Sequence, residues 1–118
     1  MSSRNQRFFE LEVLVVVANT DLGPFPGELV DELQELNKTV YPVDTGGSRY
    51  VGGDEAFPSL LEMPTRPKAQ GVMVDLPRHR LDDVVDEMQE LQLRHLWLLR
   101  PASPKTLVRC SELGLEVY

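Results

Sequence analysis

A short segment near the start of the chain contains residues with the spacing of a phosphate loop. Ala18, Thr20 and Gly23 fall on the glycine positions of the G-x-G-x-x-G pattern, in which backbone amides approach a pyrophosphate. Only the third of these positions is glycine in this chain. The pattern therefore predicts a weakened phosphate loop, and it suits equally well a tight turn that holds no ligand.

Two prolines limit what this loop can donate. Pro24 and Pro26 have no amide hydrogen, so the donors must come from the other residues between Asn19 and Gly27. A helix is predicted to begin directly afterwards, and the amino terminus of a helix attracts anions. Any phosphate would therefore lie between the loop and that helix.

One acidic residue and several basic ones are predicted at the same edge of the fold. Asp44 comes about twenty residues after Gly23 at the end of a predicted strand, where a carboxylate can bind a ribose hydroxyl. Basic side chains collect in the loops at this edge, as expected of a surface that phosphates approach. They are Arg49, Arg78, His79, Arg80, Arg100 and Lys105.

Composition excludes several other functions. The net charge of −7 argues against nucleic acid as a partner, since binding phosphates along a strand needs a basic face. No apolar run is long enough to cross a membrane. His79 and His95 have no second ligand at metal-binding spacing, and no serine has an identifiable base. Cys110 is the single cysteine, so no internal disulfide is expected and the chain is predicted to be cytoplasmic.

The elements that must position these residues alternate between strand and helix. Apolar runs rich in β-branched residues predict strands at 11–18, 39–43, 70–75, 95–99 and 115–118. Helical spacing of apolar residues predicts helices at 28–37, 81–91 and 105–113, and Pro58 to Met63 suits one helical turn. This pattern predicts an α/β, three-layer Rossmann-like domain with a parallel five-stranded sheet in the order 2-1-3-4-5.

Three details complete the predicted architecture. Residues 1–7 are expected to form a flexible arm, and residues 8–118 a single domain. Tyr50 and Val51 are expected to add a short edge strand outside the second strand. Seven apolar residues are predicted to lie in the core: Val15, Val17, Leu33, Val74, Val85, Leu96 and Leu98.

A series of landmarks along the chain resembles one known family. In order they are Tyr41-Pro42-Val43-Asp44, the glycine-bearing loop up to Gly52, Phe57-Pro58-Ser59-Leu60-Leu61, residues 72–88, Leu96-Trp97-Leu98 and residues 113–117. Their order and spacing resemble the CoA-binding domain family, whose members are similar to the N-terminal domain of the succinyl-CoA synthetase alpha subunit. The first loop of that family usually reads Gly-Ala-Ser, where this chain has Ala18-Asn19-Thr20.

The resemblance implies a module that binds CoA or an acyl-CoA without catalysis of its own. Ala18, Asn19 and Thr20 would then line the pocket, and Asp44 with Thr45 would contact the adenosine. Amides near Gly23 and Gly27 would meet the phosphates, helped by Arg78 or Arg100.

Two other interpretations stay open. One is an NAD(P)-binding domain of a small oxidoreductase, with Asp44 on a ribose. The other is a family member that has lost its ligand and acts through contacts with a protein partner or with copies of itself.

Overall fold

A computed structural model describes residues 4–118 of the chain. Four α-helices, one 3-10 turn and seven strands alternate along these residues. In chain order they are α1 (Arg4–Phe9), β1 (Val13–Ala18), α2 (Gly27–Glu35), β2 (Thr39–Asp44), β3 (Tyr50–Val51), β4 (Asp54–Glu55), a 3-10 turn (Leu60–Glu62), β5 (Gly71–Val74), α3 (Arg78–Leu91), β6 (His95–Leu98), α4 (Pro104–Glu112) and β7 (Glu116–Val117).

Five of the strands form one parallel sheet in the order β2-β1-β5-β6-β7. Counted along the main sheet, this is the predicted order 2-1-3-4-5, and the predicted α/β class is confirmed. All six residues of β1 are buried, which explains why its sequence is apolar without alternation.

Successive residues of β1 point to opposite faces of the sheet and so contribute to two separate cores. Val13, Val15 and Val17 pack in the cluster that includes α3 and Cys110 of α4. Leu14 and Val16 pack in the cluster that includes α2 and Phe8 of α1. The helices therefore lie on both faces, and α2 and α3 leave the sheet on opposite sides.

The predicted core is buried at every position except one. Leu98 is only half-buried, whereas the other six residues are buried. The reason is the short edge strand β7, which pairs with His95 and Leu96 and ends there. Leu98 therefore has less cover at that edge than its place in an apolar strand predicts.

The short strand at Tyr50–Val51 pairs differently from the prediction. It forms a two-stranded antiparallel hairpin with Asp54–Glu55 and does not join the main sheet. Gly52 makes the reversal with a φ of 61°, a backbone angle that residues with a Cβ rarely adopt. The position outside β2 is taken instead by Phe57, through a single parallel bridge to Val43.

The amino-terminal segment also differs from the expected arm. Residues 4–7 begin helix α1, and residues 1–3 lie outside the described residues. Phe8 anchors this helix, with its ring 5.2 Å from that of Trp97 and 5.0 Å from that of Tyr118. Gly71 provides the space, because a Cβ there would lie 3.0 Å from the Phe8 ring. The aromatic side chains of Trp97 in β6 and of Tyr118, directly after β7, are thus covered by α1 on this face.

Among residues 4–118, no helix combines the length and the apolar character that crossing a bilayer requires.

Truncation of Leu33 tests the packing of α2 against the sheet. Leu33 is 2% exposed, so Leu33→Ala should lower the free energy of unfolding by about 2 to 5 kcal/mol, as for other buried leucines. Leu36, at the end of the same helix, is 62% exposed and gives the matched control, Leu36→Ala, with a change below about 0.5 kcal/mol. Urea unfolding measures both, and a loss at Leu33 as small as that at Leu36 would contradict the packing.

Candidate functional site

The candidate site lies where the strand order reverses. β1 is followed by α2 on one face, and its neighbour β5 is followed by α3 on the other. The loops after these two strands therefore diverge at the carboxyl edge of the sheet, and such a point is where open α/β folds form a crevice that binds ligands. Residues 19–26 form one side of the crevice and residues 75–77 the other.

The carboxylate of Asp44 holds the first side of the crevice together. Its Oδ1 accepts the amides of Thr20 at 2.9 Å and Gly46 at 2.8 Å. Its Oδ2 accepts the Thr20 hydroxyl at 2.6 Å and the Ser48 amide at 3.2 Å. Asp44 is completely buried, and both oxygens are engaged within the chain.

The protonation of Asp44 follows from these contacts. Burial alone raises the pKa of a carboxyl group, because it disfavours the charged form. The hydrogen bonds from Thr20, Gly46 and Ser48 favour the carboxylate and outweigh burial, so the pKa of Asp44 lies below its ordinary value of 3.8. The group is therefore a buried anion at neutral pH.

Close contact between the loops after β1 and β2 depends on a glycine and a threonine. A Cβ on Gly46 would lie 2.9 Å from Asn19 Oδ1 and 3.0 Å from Thr20 Oγ1. The Thr45 amide donates to the carbonyl of Ala18 at 3.0 Å. The sequence identified Thr45 as a site residue but missed Gly46 and Ser48. The glycine-rich composition after β2 was the available signal for this close approach.

Several amides of the first loop already have acceptors within the chain. The amide of Thr20 donates to Asp44, that of Asp21 to the Asn19 side chain at 2.8 Å, and that of Leu22 to the Asn19 carbonyl at 3.0 Å. Gly27 donates to Phe25 at 2.7 Å. Five amides of the described loop and of the first turn of α2 make no hydrogen bond. They belong to Asn19, Gly23, Phe25, Glu28 and Leu29.

The two predicted arginines occupy different positions at this edge. Arg100, in the loop after β6, donates from Nε to Asp75 Oδ1 at 2.5 Å, so it lies beside the residue that follows β5. Arg78 is the first residue of α3 and is exposed. Sequence reasoning missed Asp75, although an acidic residue directly after a buried strand was the available signal.

Other chemistry-bearing side chains lie apart from the crevice. A groove of about 670 Å³ runs between α3 and α4, but it is lined by three carboxylates and two cations, which does not favour a polyanion. Burial raises the pKa of the Cys110 thiol, which makes it a poor nucleophile. Within residues 4–118, no three histidine, cysteine or acidic side chains lie together in a way that could hold a metal ion.

Neutralising Asp44 tests the buried anion. Asp44→Asn places an NH2 group among N–H and O–H donors, so it should cost about 1 to 3 kcal/mol of unfolding free energy at pH 7. A carboxylate with a lowered folded pKa contributes stability above its unfolded pKa and loses it as the pH falls through the folded pKa. The difference between the two proteins should therefore shrink below about pH 4, as measured by urea unfolding.

The exposed Asp31 on α2 offers a control with the same change of charge. Asp31→Asn should alter the unfolding free energy by less than about 0.5 kcal/mol. If Asp44→Asn cost the same at pH 3 as at pH 7, folding would not lower the pKa of Asp44, and its hydrogen bonds would not favour the carboxylate.

Known structures share this fold at low sequence identity. A hypothetical protein from Pyrococcus horikoshii OT3 is 18% identical, with a TM-score of 0.79 over 95% of this chain and 79% of that chain. A structure from Thermus thermophilus, cell-free ID.343, is 21% identical. Its TM-score is 0.75, over 99% of this chain and 90% of that chain. At this identity the likeness shows the fold alone.

A third similar structure belongs to a larger protein. It is the dinucleotide-forming acetyl-coenzyme A synthetase 1 of Ca. Korarchaeum cryptofilum, in complex with phosphate and ADP, at 18% identity and a TM-score of 0.76. The match covers 95% of this chain but only 26% of the synthetase. The activity of the whole synthetase therefore says nothing about this chain.

Sequence comparison identifies the family. No curated protein matches the chain. The sequence model of the CoA binding domain, however, matches residues 12–118, which includes both sides of the crevice. The resemblance noted from the sequence is thereby confirmed, and the chain belongs to the CoA-binding domain family.

Proposed function

We propose that this chain binds CoA or an acyl-CoA in the crevice between β1 and β5 and performs no chemistry on it. Membership of the CoA-binding domain family over residues 12–118 is the observation that carries the proposal. The position of the crevice supports it, since the strand order reverses there and unpaired amides and cations lie beside it.

The phosphates of CoA would use the donors that the loop leaves unpaired. These are the amides of Asn19, Gly23 and Phe25 and, in the first turn of α2, those of Glu28 and Leu29. The turn has no side-chain cap, so its amides are available to an anion. Because Pro24 and Pro26 contribute no amide, cations would supply the remaining attraction, and the affinity should be modest.

The other predicted site residues would act by shaping the pocket. Ala18 has a small side chain at the end of β1, and Asn19 and Thr20 are held by hydrogen bonds on one side of the crevice. Asp44 and Thr45 fix that loop in place. In this arrangement Asp44 acts on the ligand through Thr20 and not by direct contact with adenosine.

An NAD(P) site is a weaker alternative for the same reason. That function needs a carboxylate free to accept a ribose hydroxyl, and Asp44 is fully buried with both oxygens engaged.

We also propose a cytoplasmic location, supported by the unpaired and buried Cys110.

Calorimetric titration at low salt tests the proposal with CoA, acetyl-CoA, NAD and NADP as ligands. CoA or acetyl-CoA should bind with modest affinity that falls as salt is added, because part of the attraction is Coulombic. Arg100→Ala should weaken binding by about three- to tenfold, since the guanidinium is half exposed and its contribution is screened. Arg94→Ala, at the opposite edge of the sheet, removes the same charge and should leave binding unchanged.

The titrations separate the three interpretations. Binding of CoA compounds alone supports the proposal. Binding of dinucleotides alone would favour the oxidoreductase domain. If none of the four ligands gave heat at millimolar concentration, a family member that acts through protein contacts would be the better account.

A further inference from the structure

Asp75 and Arg100 form an ion pair directly beside the crevice. Asp75 follows β5, and its amide donates to the carbonyl of Val17 on β1 at 2.8 Å. Arg100 follows Leu99, whose amide donates to the carbonyl of Val74 on β5 at 2.9 Å. The backbone beside each partner is therefore tied to a neighbouring strand, so the two side chains start from fixed positions.

The geometry of the pair leaves most of the guanidinium free. Asp75 accepts from Nε of Arg100 at 2.5 Å, and the two terminal nitrogens of Arg100 have no partner among the described residues. The terminal nitrogens are the ones that bind a phosphate through two parallel hydrogen bonds. The arginine side chain is 50% exposed and the aspartate 22%, so the anchor is the more buried partner and the donor is open to solvent.

We propose that Asp75 is a positioning residue, which holds the Arg100 guanidinium at the crevice so that its terminal nitrogens can bind the pyrophosphate of CoA. This inference rests on the proposed function. An untethered arginine has many rotamers, and binding a phosphate would have to restrict them. Asp75 restricts them before the ligand arrives, which lowers the entropic cost of binding.

The charge of Asp75 acts in the opposite direction, because it repels a phosphate. That repulsion is weakened by solvent at a half-exposed site, and the bond to Nε already directs the carboxylate to the guanidinium. Positioning is therefore expected to outweigh repulsion. Removing the carboxylate would therefore change the affinity in opposite directions through the two effects.

Calorimetric titration of CoA into five proteins tests the assignment: the wild type, Asp75→Ala, Asp75→Asn, Arg100→Ala and the double variant Asp75→Ala with Arg100→Ala. Asp75→Ala should weaken binding by about three- to tenfold. Asp75→Asn keeps an oxygen that accepts from Nε, so it should recover most of the affinity. In the Arg100→Ala background, Asp75→Ala should cause no further loss, since its only effect passes through the arginine.

Two results would overturn this inference and leave the proposed function standing. Tighter binding by both Asp75 variants would show that the carboxylate mainly repels the ligand. An equal loss from Asp75→Ala with and without Arg100 would show that Asp75 supports the fold and does not act through the arginine.

Thermal unfolding accompanies each titration. If Asp75→Ala does not fold, Arg100→Lys takes its place, and its affinity should fall because lysine keeps the charge but lacks the fork; wild-type affinity there would overturn the inference. A wild type that does not bind CoA would instead refute the proposed function, and this inference with it.

Discussion

The structure of the carboxyl edge depends on one buried charge, the Asp44 carboxylate. The edge strand β2 pairs with β1 up to the last residue of each, and Asp44 then ties the two following loops together through Thr20, Gly46 and Ser48. A buried carboxylate is stable only when its oxygens accept enough hydrogen bonds, and here four donors meet that need. The position of the first loop is therefore a consequence of satisfying Asp44.

This arrangement also explains how a loop with few glycines can keep its shape. In the described residues, the only non-glycine positions with positive φ are Asn37 and Gln92, so residues 19–22 need no left-handed backbone. The side chain of Asn19 accepts the amide of Asp21 and closes a local turn, and Asp44 accepts the amide of Thr20. Side-chain acceptors thus hold the loop, but they use amides that a ligand could otherwise have bound.

The sequence predicted the fold well because the sheet is built from runs whose burial is visible in their composition. Residues 11–18 are apolar without alternation, which is typical of a central parallel strand, and the order of the main strands followed from right-handed crossovers. The hairpin at Tyr50–Val51 was missed because its pairing is decided by a local turn at Gly52 and not by hydrophobicity. The site was predicted less well, since spacing located Asp44 at the correct edge but could not show that its oxygens are engaged within the chain.

The distribution of charge finally explains where a polyanion could approach an acidic protein. Asp44 places a negative charge inside the first side of the crevice, so attraction must come from the other side, where Arg100 lies beside β5 and Arg78 begins α3. Charges separated by more than the Debye length of about 10 Å at 0.1 M salt hardly affect each other, so the net charge of −7 does not cancel these local cations. The carboxylates of α3, such as Asp82 and Asp86, are in turn paired with Arg109 of α4. In the proposed function, a phosphate would thus approach across the crevice from the β5 side, and the amides of the first loop and of α2 would complete its binding.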